Sequence, residues 1–155
     1  MPENLLYKTA LSKAMALCSR MEYCSGDIQK KLQSWGVSTE DENKIVNALV
    51  KENFIDEKRY AKAYVRDKFR YNKWGKVKIA ANLKAKGLTG DLIRTALGEI
   101  EDEEYTDVIK NLIASRRKTI KAKNQYDLKG KLLRYGLSKG FESSILYELL
   151  KETED

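Results

Sequence analysis

The sequence predicts an all-α protein: a tandem repeat of three three-helix units forming an elongated, curved array. Three observations carry this reading. A pattern recurs at intervals of 51 and 49 residues: Ile28, Leu32, Gly36, Val37, Ser38; then Ile79, Leu83, Gly87, Leu88, Thr89; then Leu128, Leu132, Gly136, Leu137, Ser138. The composition, 34% charged and rich in Lys, Glu, Leu and Ala, favours helix over sheet. The one proline is Pro2, so nothing further along the chain need break a helix.

Each copy of the pattern reads the same way. A helix closes, and a glycine takes the left-handed conformation that costs other residues about 1–2 kcal/mol. A Ser or Thr then caps the next helix, which buries one apolar stripe. Counting from each glycine, apolar residues stand eight and four before and one after, with a hydroxyl two after. More follow at nine, ten and thirteen: Ile45, Val46 and Leu49; Ala96, Leu97 and Ile100; Ile145, Leu146 and Leu149. Such a period marks a modular array, whose small units gain stability by stacking on their neighbours. The units are assigned to residues 1–55, 56–100 and 101–155.

In the first unit a long helix runs over 5–21, with Leu6, Ala10, Ala14, Leu17 and Met21 on its stripe. A second covers 26–35 behind Ser25, and a third covers 39–52 behind a Ser38 or Thr39 cap. Asp56 caps a helix over 57–72, whose buried side is Tyr60, Ala61, Tyr64, Val65 and Phe69. Trp74–Gly75 breaks it, a helix over 76–86 buries Ile79 and Leu83, and a short helix follows Thr89 as far as Gly98. The acidic run Glu101–Glu104 opens the next helix and Arg116–Lys118 closes it, the order the helix dipole favours. After a loop over 121–125, helices over 126–135 and 139–152 complete the chain.

Several functions are excluded. No run is long enough to span a bilayer, and no secretion-signal pattern opens the chain, so the expected location is the cytoplasm with Cys18 and Cys24 as reduced thiols. With two Cys and no His, no metal site is expected. Glycine motifs for phosphate or dinucleotide binding are absent, as is an imidazole base, so a non-enzyme without cofactor is expected. Carboxylates cluster at Glu40–Glu42 and Glu101–Glu104, but consecutive helical residues do not converge on one point, and capping explains them.

Charge supplies the strongest functional signal after the repeat. Residues 53–100 hold twelve basic and five acidic side chains, the whole of the net +7, while the flanking thirds balance. Arg59, Lys62, Arg66, Arg70 and Lys73 are spaced along one helix face, and Lys76, Lys78, Lys84 and Lys86 follow. Only Asp67 interleaves. The stripe reads either as a solvated surface or as a face for a polyanion or an acidic protein groove. A second cluster includes Arg116, Arg117, Lys118, Lys121, Lys123, Lys129, Lys131 and Arg134, where helix-dipole complementation competes with binding. Tyr71, Trp74, Tyr126 and Tyr135 lie among these cations, read as helix packing or as stacking platforms for bases.

At the middle unit the residues resemble a known family. The run Asp56–Glu57–Lys58–Arg59–Tyr60–Ala61–Lys62–Ala63–Tyr64–Val65, then Gly75–Lys76–Val77–Lys78–Ile79, then Leu83–Lys84–Ala85–Lys86–Gly87, is similar to the central signature of RecX proteins, bacterial regulators of the RecA recombinase. Arg20, Ser25, Ile28, Lys31 and Leu32 resemble the family's opening motif, and Leu132, Arg134 and Gly136 agree more loosely. The family often carries paired Asp where Asp56–Glu57 stands, and an aromatic after the third glycine where Leu137 stands.

The resemblance implies tandem three-helix repeats that lie in the groove of the RecA–DNA filament and suppress its ATPase, strand-exchange and co-protease activities. It implies a cytoplasmic monomer whose partners are the RecA filament and DNA, the latter bound weakly alone. A direct DNA-binding module without a RecA target is the alternative, and a general protein-interaction scaffold with a merely solubilising basic face is a third.

Overall fold

The positions that close one helix and cap the next set this architecture. The computed structural model describes residues 2–152, and among them the chain forms nine helices and no strand. They are α1 (Pro2–Arg20), α2 (Ser25–Ser34), α3 (Thr39–Lys51), α4 (Glu57–Arg70), α5 (Lys76–Ala85), α6 (Gly90–Leu97), α7 (Asp102–Thr119), α8 (Gln125–Ser138) and α9 (Ser143–Glu152). Side-chain caps stand at several expected starts: Ser38 accepts from the Asp41 N–H at 3.2 Å, Asp56 from Arg59 at 3.0 Å and Thr89 from Leu92 at 3.4 Å. Cys24, rather than Ser25, occupies the cap position of α2.

Gly36 and Gly87 take the left-handed conformation with φ of 81° and 93°. In each the next amide turns back to the helix: Val37 donates to the Leu32 carbonyl at 3.0 Å and Leu88 to Leu83 at 3.2 Å. The third copy corrects the sequence reading. Gly136 lies inside α8, and the left-handed glycine is Gly140, with φ of 93°. Phe141 donates to the Gly136 carbonyl at 3.1 Å, so Gly136 holds the place of Leu32 and Leu83. Its lack of a side chain serves helix approach instead: a Cβ there would sit 2.5 Å from a Leu146 methyl. Ser138 likewise ends α8, and Glu142 precedes α9 in its stead. With this register an aromatic, Phe141, does follow the third glycine.

Within α1 the buried row is Ala10, Ala14 and Cys18, whereas Leu6 and Met21 of the expected stripe are exposed. The row keeps the i, i+4 step to Cys18, and Met21 falls beyond the helix end. Helix packing is mostly local to each repeat: α3 against α1 and α2, α4 with α5 and α6, and α8 with α7 and α9.

Two hydrophobic cores result. One contains Ala10, Ala14, Ile28, Leu32, Ile45 and Leu49 and belongs to the first repeat. The other runs without interruption through the second and third, joining Phe69, Ile79 and Leu83 to Tyr105, Leu132, Phe141 and Leu146. The accessible surface of 10,008 Å² exceeds the roughly 8,000 Å² expected of a compact monomer of this mass, as an elongated array requires.

The second helices of the three repeats run head to tail. The C-terminal turn of α8 meets the N-terminus of α5, and that of α5 meets the N-terminus of α2. At the joint between α8 and α5 Gly75 donates to the Lys139 carbonyl at 2.7 Å and Val77 to the Gly140 carbonyl at 3.0 Å. A Cβ on Gly75 would land on the Gly140 carbonyl, and one on Gly140 would strike Lys78.

Candidate nucleic-acid and protein interface

The structure divides the central cations by what they touch. Arg59, the first of the stripe, is spent inside the fold: its Nε meets both carboxylate oxygens of Glu22 at 2.8 and 2.7 Å, and an Nη reaches the carbonyls of Asn53 and Phe54. Its place is the seam between the first and second repeats. Lys86 reaches Asp27 of α2 at 2.9 Å across the same seam. Lys62 pairs with Glu99 at 3.0 Å and Arg66 with Asp67 at 3.7 Å, both largely in solvent. Exposed pairs of this kind contribute about 0–1 kcal/mol and leave the cations open to exchange partners.

Arg94 pairs with Asp91, whereas Arg70, Lys73, Lys76, Lys78 and Lys84 meet no carboxylate among the described residues. Arg70, Lys73 and Lys84 are exposed. Lys73 holds a left-handed backbone with φ of 57°, unusual for a side-chain-bearing residue. Lys76 lies over the Tyr105 ring at 4.6 Å and Lys78 over Trp74 at 4.4 Å. Trp74 is half-buried and flanked also by Lys68 at 4.8 Å, so it packs and holds cations in one place. Tyr71 stands free at 81% exposure.

In the third repeat Arg116 stacks on Tyr135 at 5.1 Å, and Lys131 bonds Asp127 and the Lys121 carbonyl. Arg117 is partly buried. Lys129 and Arg134 line a groove of about 710 Å³ with Tyr126, Leu133 and Tyr147. Tyr126 is 90% exposed, so it and Tyr71 keep the geometry of stacking platforms while Trp74 and Tyr135 do not.

Most of the motif residues are joints or core. Tyr60, Ala61, Ile79 and Leu83 are buried, and Tyr64 is half-buried against them. Glu57 accepts the Ser25 N–H at 2.8 Å and its hydroxyl at 3.3 Å. Burial opposes ionisation of Asp27, yet bonds from Lys86 and Cys24 outweigh it and hold its pKa below the ordinary carboxylate value. Burial pushes the Tyr60 hydroxyl up, and the Asp27 charge adds to this.

At the other joint Tyr105 takes the corresponding place. Its oxygen accepts the Lys76 N–H at 2.9 Å while its proton goes to the Glu142 carboxylate. Tyr105 is wedged between Phe69 and Phe141.

Sequence reading missed Lys68, Lys139 and Glu142. Lys139 donates to the Asn72 carbonyl at 2.9 Å. Its signal was present: it precedes Gly140 as Lys86 precedes Gly87. Among the described residues, no group of His, Cys, Asp and Glu is arranged to hold a metal, and no helix is long and apolar enough to cross a membrane.

This is the class of helical-repeat proteins in which the shared motif joins the units. The family described as RecX, second three-helix domain, matches residues 56–97. A regulatory protein RecX of Clostridium acetobutylicum is 30% identical over 97% of this chain and 70% of its own length. That of Lactobacillus johnsonii is 26% identical over 88% of this chain, which spans 50% of that relative's length. A crystal structure of a regulatory protein RecX superposes with a TM-score of 0.87 at 25% identity, covering 97% of this chain and 74% of that one. The chain belongs to the RecX family of regulatory proteins.

Proposed function

We propose that this chain is a non-catalytic regulator of RecA: an inhibitor that lies in the groove of the RecA–DNA filament and lowers its ATPase, strand-exchange and co-protease activities. It acts in the cytoplasm as a monomer of three units, 1–55, 56–100 and 101–155, without cofactor, and so tunes DNA repair and recombination. The observation that carries the reading is a coincidence of position. The stretch that matches the family, 56–97, lies within the stretch that holds the entire net charge. That stretch presents Arg66, Arg70, Lys73 and Lys84 to solvent. Charge-assisted contacts from such residues suit phosphates and acidic protein surface alike. Several repeats engaging one filament would add avidity.

The experiment is a titration of this protein into RecA hydrolysing ATP on single-stranded DNA. Hydrolysis is expected to fall, and the triple variant Arg70→Glu, Lys73→Glu, Lys84→Glu to need at least ten times more protein for the same effect. An unchanged rate at excess parent protein contradicts the reading. Arg59→Glu is a poor probe, because it breaks the Glu22 seam as well as removing a cation.

A further inference from the structure

The two joints are built on one plan, and one pair of positions breaks it. Cys24 and Gly75 hold the cap positions of α2 and α5, so the third helical residue is Asp27 in one and Lys78 in the other. Each faces the lysine that precedes the next repeat's left-handed glycine. At the first joint that lysine is Lys86, and it pairs with Asp27 at 2.9 Å. At the second it is Lys139, and its counterpart is another lysine. Among the described residues Lys139 reaches the Asn72 carbonyl and no carboxylate, while Lys78 lies on Trp74 beside Lys68.

Two like charges thus replace an ion pair inside a close-packed seam. Glu142, a carboxylate of the seam, takes the Tyr105 hydroxyl, and the amides of Gly75, Lys76 and Val77 at the start of α5 all have partners. Burial and the neighbouring Lys78 both depress the Lys139 pKa, and no carboxylate counters them. The ammonium groups of Lys68 and Lys78 lie on the Trp74 ring, and that of Lys139 stands beside Lys78 on the Asn72 carbonyl, flanked in sequence by exposed Tyr71 and the left-handed Lys73: a cationic cluster with no carboxylate bonded to it among the described residues.

We propose that the joint between the second and third repeats binds a phosphate of a nucleic-acid backbone, held by Lys78 and Lys139 with Lys68 alongside. This rests on the reading above that the basic face meets the filament, and it assigns DNA rather than protein to this part of that face. A phosphodiester supplies the negative charge that Asp27 supplies at the other joint. Its neighbouring bases lie within reach of an aromatic surface at Tyr71.

The test uses the whole chain, a fluorescein-labelled single-stranded oligonucleotide and fluorescence anisotropy across a salt series, with no RecA present. Lys78→Asp rebuilds the pairing of the first joint. It is expected to lower affinity at least tenfold and to reduce the salt slope by about 1.4, two cations at about 0.7 each on a single strand, since Lys139 then finds a carboxylate. The melting temperature is expected to hold or rise, which separates lost binding from lost folding. Lys78→Arg is expected to bind as the parent does. Lys30→Asp, an equal charge change at an exposed position on α2, is expected to lower affinity less than threefold. Unmeasurable binding by the parent, an unchanged slope in Lys78→Asp, or an equal loss in Lys30→Asp would each overturn the assignment. Because RecA is absent, failure here leaves the ATPase titration to decide the regulator reading independently.

Discussion

The first and second repeats meet through side-chain charge; the second and third meet through backbone. At the former joint Asp27–Lys86, Glu22–Arg59 and the Glu57–Ser25 bonds span the seam between two cores. Among the described residues of the first repeat, Cys24 alone is buried in the neighbouring core. At the latter, carbonyls of Lys139 and Gly140 cap α5 directly, and Tyr105 and Phe141 sit in a core common to both repeats. One repeat plan therefore carries two kinds of seam. Charge pairs tolerate displacement and weaken with salt. Backbone bonds made where Gly75 and Gly140 approach to the van der Waals limit tolerate neither displacement nor a side chain.

The sharpest way to break the comparison is to add one methyl at each seam. Gly75→Ala places a Cβ against the Gly140 backbone, which cannot give, and is expected to cost about 3 kcal/mol or more in urea unfolding. Gly26→Ala meets the Lys86 carbonyl at 3.0 Å, and the looser joint is expected to absorb it at about 1 kcal/mol. Equal losses would mean the seams are equally rigid. Gly87→Ala isolates backbone strain, since nothing lies within 4 Å of its missing Cβ; φ of 93° alone is expected to cost about 1 kcal/mol.

The smallest effect is the most diagnostic of charge. Asp27 has its pKa lowered from 3.8, so its contribution to stability is complete above that value and fades as pH falls through the folded pKa. Lys86 has its pKa raised from 10.5, so its share is complete below that value and fades as pH rises through the folded pKa. Asp27→Asn is expected to lower stability by about 0.5–1 kcal/mol at pH 7. In thermal melts that deficit is expected to shrink as pH falls below 3.8. A deficit that persists at pH 2 would assign Asp27 a purely steric role.

The order of the helices was legible because it depends on local signals: Ser38, Asp56 and Thr89 as caps, Gly36 and Gly87 as stops. The third stop was misplaced because Gly136, four residues before Gly140, copies the glycine–apolar–hydroxyl pattern, while Glu142 lacks the hydroxyl expected of a cap. The stripe's spacing was also legible, but not its division of labour. Arg59 finds Glu22 from 37 residues away and Lys86 finds Asp27 from 59 away, distances that helical periodicity does not register. Lys139 escaped notice for the same reason as Gly140: its equivalence to Lys86 depends on the corrected register.

Native-state hydrogen exchange resolved by repeat tests most directly whether the two seams differ in kind. In the double variant Asp27→Asn, Glu57→Gln, amides of α2 and α3 are expected to lose protection, while those of α5, α6, α8 and α9 keep the parent's values. A uniform loss across all three repeats, or protection in α2 and α3 equal to the parent's, would contradict it.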